Sequence, residues 1–142
     1  MLLNFAIGLS TMSLCLLMQS ALLAAALRYY SRHEPPGARV SLWKTLLTLD
    51  AVMTLLVLGN LAQLVIWAIV FRMLGEFATL DAAVYHSAVN FASLGYGDII
   101  MSERFKLLGP LEAINGVVMI GVSTAALMMT LQDVRAIGKT PH

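Results

Sequence analysis

Ser93-Leu94-Gly95-Tyr96-Gly97-Asp98 is the stretch of this chain that can do chemistry chiefly through its backbone. Two glycines flanking one aromatic residue let successive residues alternate between right- and left-handed conformations without a Cβ clash. Such alternation can aim consecutive carbonyl oxygens in one direction. A ring of these strands from several subunits would then replace the hydration shell of a cation. The surrounding sequence is apolar, and irregular backbone at membrane depth is tolerated only inside protein or along a water-filled cavity. The stretch is therefore expected to line a cavity. The other readings are a tight surface turn and a fragment of a dinucleotide-binding fingerprint. The second is weakened because no third glycine follows and no strand precedes.

Other chemistry has little to build on. His33, His86 and His142 share no metal-ligand spacing, and no nucleophile–base–acid set is present. Cys15 is the only cysteine, so no intrachain disulfide can form and a buried small hydrophobe is expected. Of the 142 residues 59% are hydrophobic and 12% charged, about half the charged fraction of a soluble domain. Together with a mean hydropathy of +0.82, this describes a membrane protein with little outside the bilayer. No basic block points to nucleic acid, and neither an enzyme activity nor a cofactor is expected.

The elements that must position the stretch follow in order. Residues 1–30 form a leading helix, uncharged before Arg28 and long enough to cross with tilt. Ala24-Ala25-Ala26 resembles a signal-peptidase site, but a basic n-region is missing and a retained helix is expected. Gln19 and Ser20 are its polar marks, suited to helix–helix hydrogen bonds or to the bilayer edge. Residues 31–44 are a basic loop whose Pro35-Pro36-Gly37 forbids continuous helix, with Ser41 a candidate cap and Trp43 an interfacial anchor. An outer helix is expected at 45–73, with Asp50 at its edge, either solvated, paired with a nearby Arg, or gating. Asn60 and Gln63 lie three apart on one of its faces, placed to tie it to a neighbouring helix. Residues 81–92 read as a helix of about 18 Å, too short to span, with Thr79 or Asp81 capping its start. An inner helix is expected at 109–133, beginning near Gly109-Pro110, and 136–142 form a tail.

Ser-Leu-Gly-Tyr-Gly-Asp at 93–98 resembles the Thr-Val-Gly-Tyr-Gly-Asp selectivity filter of potassium channels. The resemblance extends from about Thr45 to Gln132, over the helix, pore loop and helix core of that family. It implies an all-α membrane protein: three transmembrane helices plus a re-entrant pore helix and a filter loop. It further implies a passive potassium-selective pore subunit working as a homotetramer among membrane lipids, with K+ as the transported ion. K+ would be held by the carbonyls of Leu94, Gly95 and Tyr96 and by the carbonyl and hydroxyl of Ser93. Gly97 would supply the outermost carbonyl, and Tyr96 would brace the strand from behind. Ser93 stands where the family uses threonine, so Ser93→Thr is expected to tighten the innermost site. Gly121-Val122-Ser123-Thr124 resembles the hinge of inner helices, and Gly121 is either that hinge or, like Gly116, a helix-packing residue. Met128, seven residues on, is the candidate gate. Glu112 is the candidate filter support, replacing a carboxylate that some potassium channels carry where Val89 stands here, and would make the filter respond to external pH. The plain alternative for Glu112 is an interfacial residue in water.

Charge fits one topology. A pore loop entering from outside places Arg28, Arg32, Arg39, Lys44, Arg135 and Lys139, six of the nine Lys and Arg residues, on the cytoplasmic side. The N-terminus is then outside the cell membrane and the C-terminus cytoplasmic. Ala92 and Leu94 depart from the commoner family residues, which leaves a weakly selective monovalent cation channel as the nearest rival. A non-conducting membrane adaptor is the rival from another class.

Overall fold

The computed structural model describes residues 1–33 and 42–137, which form four helices. They are α1 (Leu2–His33), α2 (Leu42–Met73), α3 (Leu80–Phe91) and α4 (Leu108–Ile137). No strand occurs among the described residues. The readings placed on Pro35-Pro36-Gly37, Ser41 and the 138–142 end of the tail lie outside them. Both α1 and α2 are longer than the uncharged runs alone suggest, because Arg28, Arg32 and Lys44 continue the helices past the apolar segments. Three helices are apolar and long enough to cross a membrane: Leu2–Tyr29, Leu46–Met73 and Leu108–Met129.

Contacts fix how the helices run. Asn4 Nδ2 of α1 donates to Arg104 O just before α4, and Gln19 of α1 meets Ser123 of α4. Farther along, Ala26 packs with Ala126. Hence α1 runs parallel to α4. Gln63 of α2 meets Gln19, while Val52 and Leu56 join Ala26, so α2 runs antiparallel to both. The N-terminus of α1 thus lies at the end of the bundle that carries the start of α3 and the 99–107 connection. At that end α3 is wedged between α2 and α4.

Packing differs between the two ends. Around α3 the core holds Trp67, Phe71, Phe77, Phe91, Phe105 and Leu108. Phe71, Phe77 and the His86 ring form an aromatic cluster with centroids 4.9–6.3 Å apart. At the other end the core is the small set Ala26, Val52, Leu56 and Ala126. The α3 end therefore carries the larger, aromatic core. Leu2, Leu9, Leu17, Leu58, Leu61 and Ile69 face outward, as suits helices solvated by lipid.

Candidate functional site

Local chemistry starts α3 cleanly. Thr79 has extended backbone and its hydroxyl accepts from Ala82 N at 3.2 Å, so threonine rather than Asp81 is the cap. Asp81 sits in the first turn, where a negative charge suits the helix dipole.

The other end of α3 runs straight into the Gly-rich stretch. Leu94 N donates to Val89 O and Ser93 N to Asn90 O, each at 2.8 Å. These two bonds form a Schellman motif, the standard way to satisfy orphan carbonyls at a helix C-terminus. Its left-handed residue, usually glycine, is here Ser93 at φ 57°. Gly95 follows at φ 57° and Gly97 at φ 72°, while Leu94 and Tyr96 between them are not left-handed. Every second residue from 93 to 97 is thus left-handed, the alternation expected from the glycine spacing. Nothing lies within 4 Å of where a Cβ would stand on Gly95 or Gly97. The glycines are there for backbone conformation, not for room within this chain. Leu94 and Tyr96 side chains are exposed.

Beyond Gly97 the chain is tied back to α3 and to the α2–α3 link. Tyr85 Oη donates to Asp98 Oδ2 at 2.6 Å. That bond holds the Asp98 carboxyl below its usual range and raises the Tyr85 phenol. The carbonyl of Ile99 can only accept, so His86 Nδ1 carries the hydrogen that bridges 3.0 Å to it. His86 Nε2 then accepts from Asn90 Nδ2 at 2.8 Å. Burial lowers the His86 pKa, and the Ile99 carbonyl and the carboxylates of Asp98 and Glu76 oppose this only in part. Glu76 accepts from Ser102 N at 2.6 Å and from Ser102 Oγ at 2.7 Å. The neighbouring Glu103 and Lys106 form an exposed ion pair.

Behind α3, Glu112 of α4 is fully buried. It hydrogen-bonds Ser87 Oγ of α3, which also reaches Leu64 O of α2 at 2.7 Å. Glu112 is therefore packed against the helix that leads into 93–98, not placed in interfacial water. One turn on, a Cβ at Gly116 would overlap the carbonyl oxygen of Phe91, with Phe91 C at 2.8 Å. At Gly121 nothing lies within 4 Å, and α4 continues through it as unbroken helix. Gly116 is a close-approach residue and Gly121 is not one within this chain. Met128 is exposed on the α4 face that also carries Ile114, Val117, Val118, Gly121 and Ala125.

Several of these residues escape a reading of the sequence. Tyr85 and Asp98 lie 13 positions apart on different elements, with no spacing to signal their bond. The i,i+4 pair His86 and Asn90 could have been read from helix periodicity.

A family model described as ion channel matches residues 61–133, just over half of the 142-residue chain. No curated protein and no solved structure matches the chain. The matched region holds the second part of α2, all of α3, the 93–107 connection and α4 up to 133. This chain belongs to the ion channel family.

Proposed function

We propose that the protein is the pore-forming subunit of a potassium-selective channel, with α3 a re-entrant pore helix and Ser93–Asp98 its selectivity filter. The observation that carries this reading is the left-handed backbone at Ser93, Gly95 and Gly97 directly behind the C-terminus of α3. Alternating handedness supports carbonyls aimed to one side, and the negative end of the α3 dipole favours a cation beside it. One strand cannot surround an ion, so the conducting unit is a closed cyclic oligomer, in this reading a homotetramer. The carbonyls of Leu94, Gly95 and Tyr96, with the carbonyl and hydroxyl of Ser93, replace the hydration shell of K+. Asp98 is held by Tyr85 at the outer mouth, and Glu112 supports α3 from behind through Ser87. Gly121 is the hinge of α4 and Met128 the constriction below it. With α3 entering from outside, the N-terminus is extracellular and the C-terminus cytoplasmic.

A weakly selective monovalent cation channel is the second reading. It is favoured by Ser93 being the left-handed residue that follows the C-cap of α3, with that cap, Ala92, offering no second hydroxyl to steady the innermost site. Reversal potentials of the purified protein in liposomes under opposed potassium and sodium gradients decide the matter. Potassium selectivity gives potentials near the potassium equilibrium value. Potentials near zero favour the second reading, and no ion flux at all ends both.

A further inference from the structure

Three helices meet at one hydroxyl. Ser123 of α4 stands two residues past Gly121, and its Oγ donates to Met119 O at 2.9 Å. Its two lone pairs are both used. One accepts from Gln19 Nε2 of α1 at 3.0 Å and the other from Asn60 Nδ2 of α2 at 3.3 Å. Gln63 Nε2 of α2 donates to Gln19 Oε1 at 2.8 Å and so sets which way the Gln19 amide points. Gln19 and Gln63 are both buried.

The turn these amides grip is a weak one by composition. It contains Gly121, with open space about it. It also contains two consecutive hydroxyls, Ser123 and Thr124, bonded back to the carbonyls of Met119 and Ile120. Glycine lowers helix stability, and hydroxyls bonded back to the preceding turn loosen and bend helices. A helix built this way bends unless something holds it, and amides from α1 and α2 hold it here, the α1 amide by the shorter bond.

We infer that Gln19, oriented by Gln63, is a positioning residue for conduction: it keeps α4 straight through Gly121. The leading helix, which lies outside the matched region 61–133, is then a built-in restraint on the pore and not only an anchor. This rests on the reading of α4 as the pore-lining helix with its constriction at Met128. Straight α4 keeps the constriction closed, and loss of the Gln19 amide lets the helix bend and open it.

The test uses the full chain in liposomes and in nanodiscs. Gln19→Leu keeps side-chain bulk and removes both amide bonds. One interhelical hydrogen bond in a membrane is worth about a three- to fifteen-fold change in an equilibrium, so the open-to-closed ratio should rise by that factor. Unit conductance and reversal potential should stay at wild-type values. Adding Gly121→Ala should return the ratio toward wild type, which a loss of general stability would not do. Gln19→Leu/Gln63→Leu removes the amide left without an acceptor, should the single variant fold poorly. Backbone amide hydrogen exchange over residues 119–127 is the second readout and needs no ion flux. Faster exchange in Gln19→Leu supports the inference even if the wild type conducts nothing, a result that would sink only the pore reading. Unchanged exchange overturns it, as does an unchanged or lowered open probability in a conducting channel.

Discussion

In the proposed reading Ser93 combines two jobs that ask for different residues, and substituting it should separate them. As the left-handed residue that closes the α3 cap, it sits at φ 57°. A left-handed backbone costs an L-residue about 1–2 kcal/mol relative to glycine. Ser93→Gly recovers that strain but frees the unfolded chain, which takes back about 0.4–1 kcal/mol. The net gain is about 0.5–1 kcal/mol. Ser93→Thr goes the other way, because a β-branched residue at positive φ is a steric outlier and adds about 1 kcal/mol or more. From sequence, threonine is expected to tighten the innermost ion site; the left-handed backbone at 93 adds a cost in stability to that substitution. Thermal unfolding of the purified protein should rank glycine above serine above threonine. Potassium and barium affinity from the inner side should instead fall in the glycine variant, which has lost the hydroxyl. A threonine variant as stable as wild type would refute the reasoning and with it the left-handed register at 93.

Tyr85→Phe removes the hydrogen bond to Asp98 and leaves His86–Ile99 as the nearest tie of 93–98 to α3. Conducting bursts should shorten several-fold while selectivity is retained in single-channel records. Gly116→Ala drives a methyl into the Phe91 carbonyl, a backbone atom that cannot step aside. The variant should lose about 1–3 kcal/mol by overpacking, more than the roughly 1 kcal/mol of helix propensity alanine returns, as read by denaturation in detergent. Burial lowers the His86 pKa, so the native state resists protonating this ring. The stability it contributes is full above the ordinary histidine value of about 6.5 and is lost as pH falls through the lowered native value. Thermal midpoints should therefore drop on acidification below about pH 6.5, and His86→Gln should flatten that slope.

Much of the architecture was legible because its signals are local. Uncharged runs ended by Arg72 or begun at Ala113 mark spans, Thr79 marks a helix start, and Gly95 and Gly97 mark alternating backbone. Asn60, Gln63 and Gln19 announced helix–helix hydrogen bonds simply by being amides in apolar helices, though not which helix each would meet. Other features depend on approach between distant elements. Gly116 and Gly121 read alike in one dimension, yet one faces the Phe91 carbonyl and the other faces open space. Serine is no signal for a left-handed cap, so the junction of α3 with 93–98 was hidden as well. Glu112 was placed near its region by position along α4, but its contact with Ser87 depends on how deeply α3 is wedged.

The amides shared among α1, α2 and α4 also bear on how the protein is made. During insertion α1 enters the bilayer before either partner exists, carrying Gln19 with nothing to bond. A helix whose most apolar 18-residue stretch has a mean hydropathy of 1.7 tolerates that burden. Arrival of α2 supplies Gln63, and arrival of α4 supplies Ser123. Each new helix thus quenches a polar group already waiting in lipid, and a nascent chain stalled after α1 would be the one most exposed to membrane quality control.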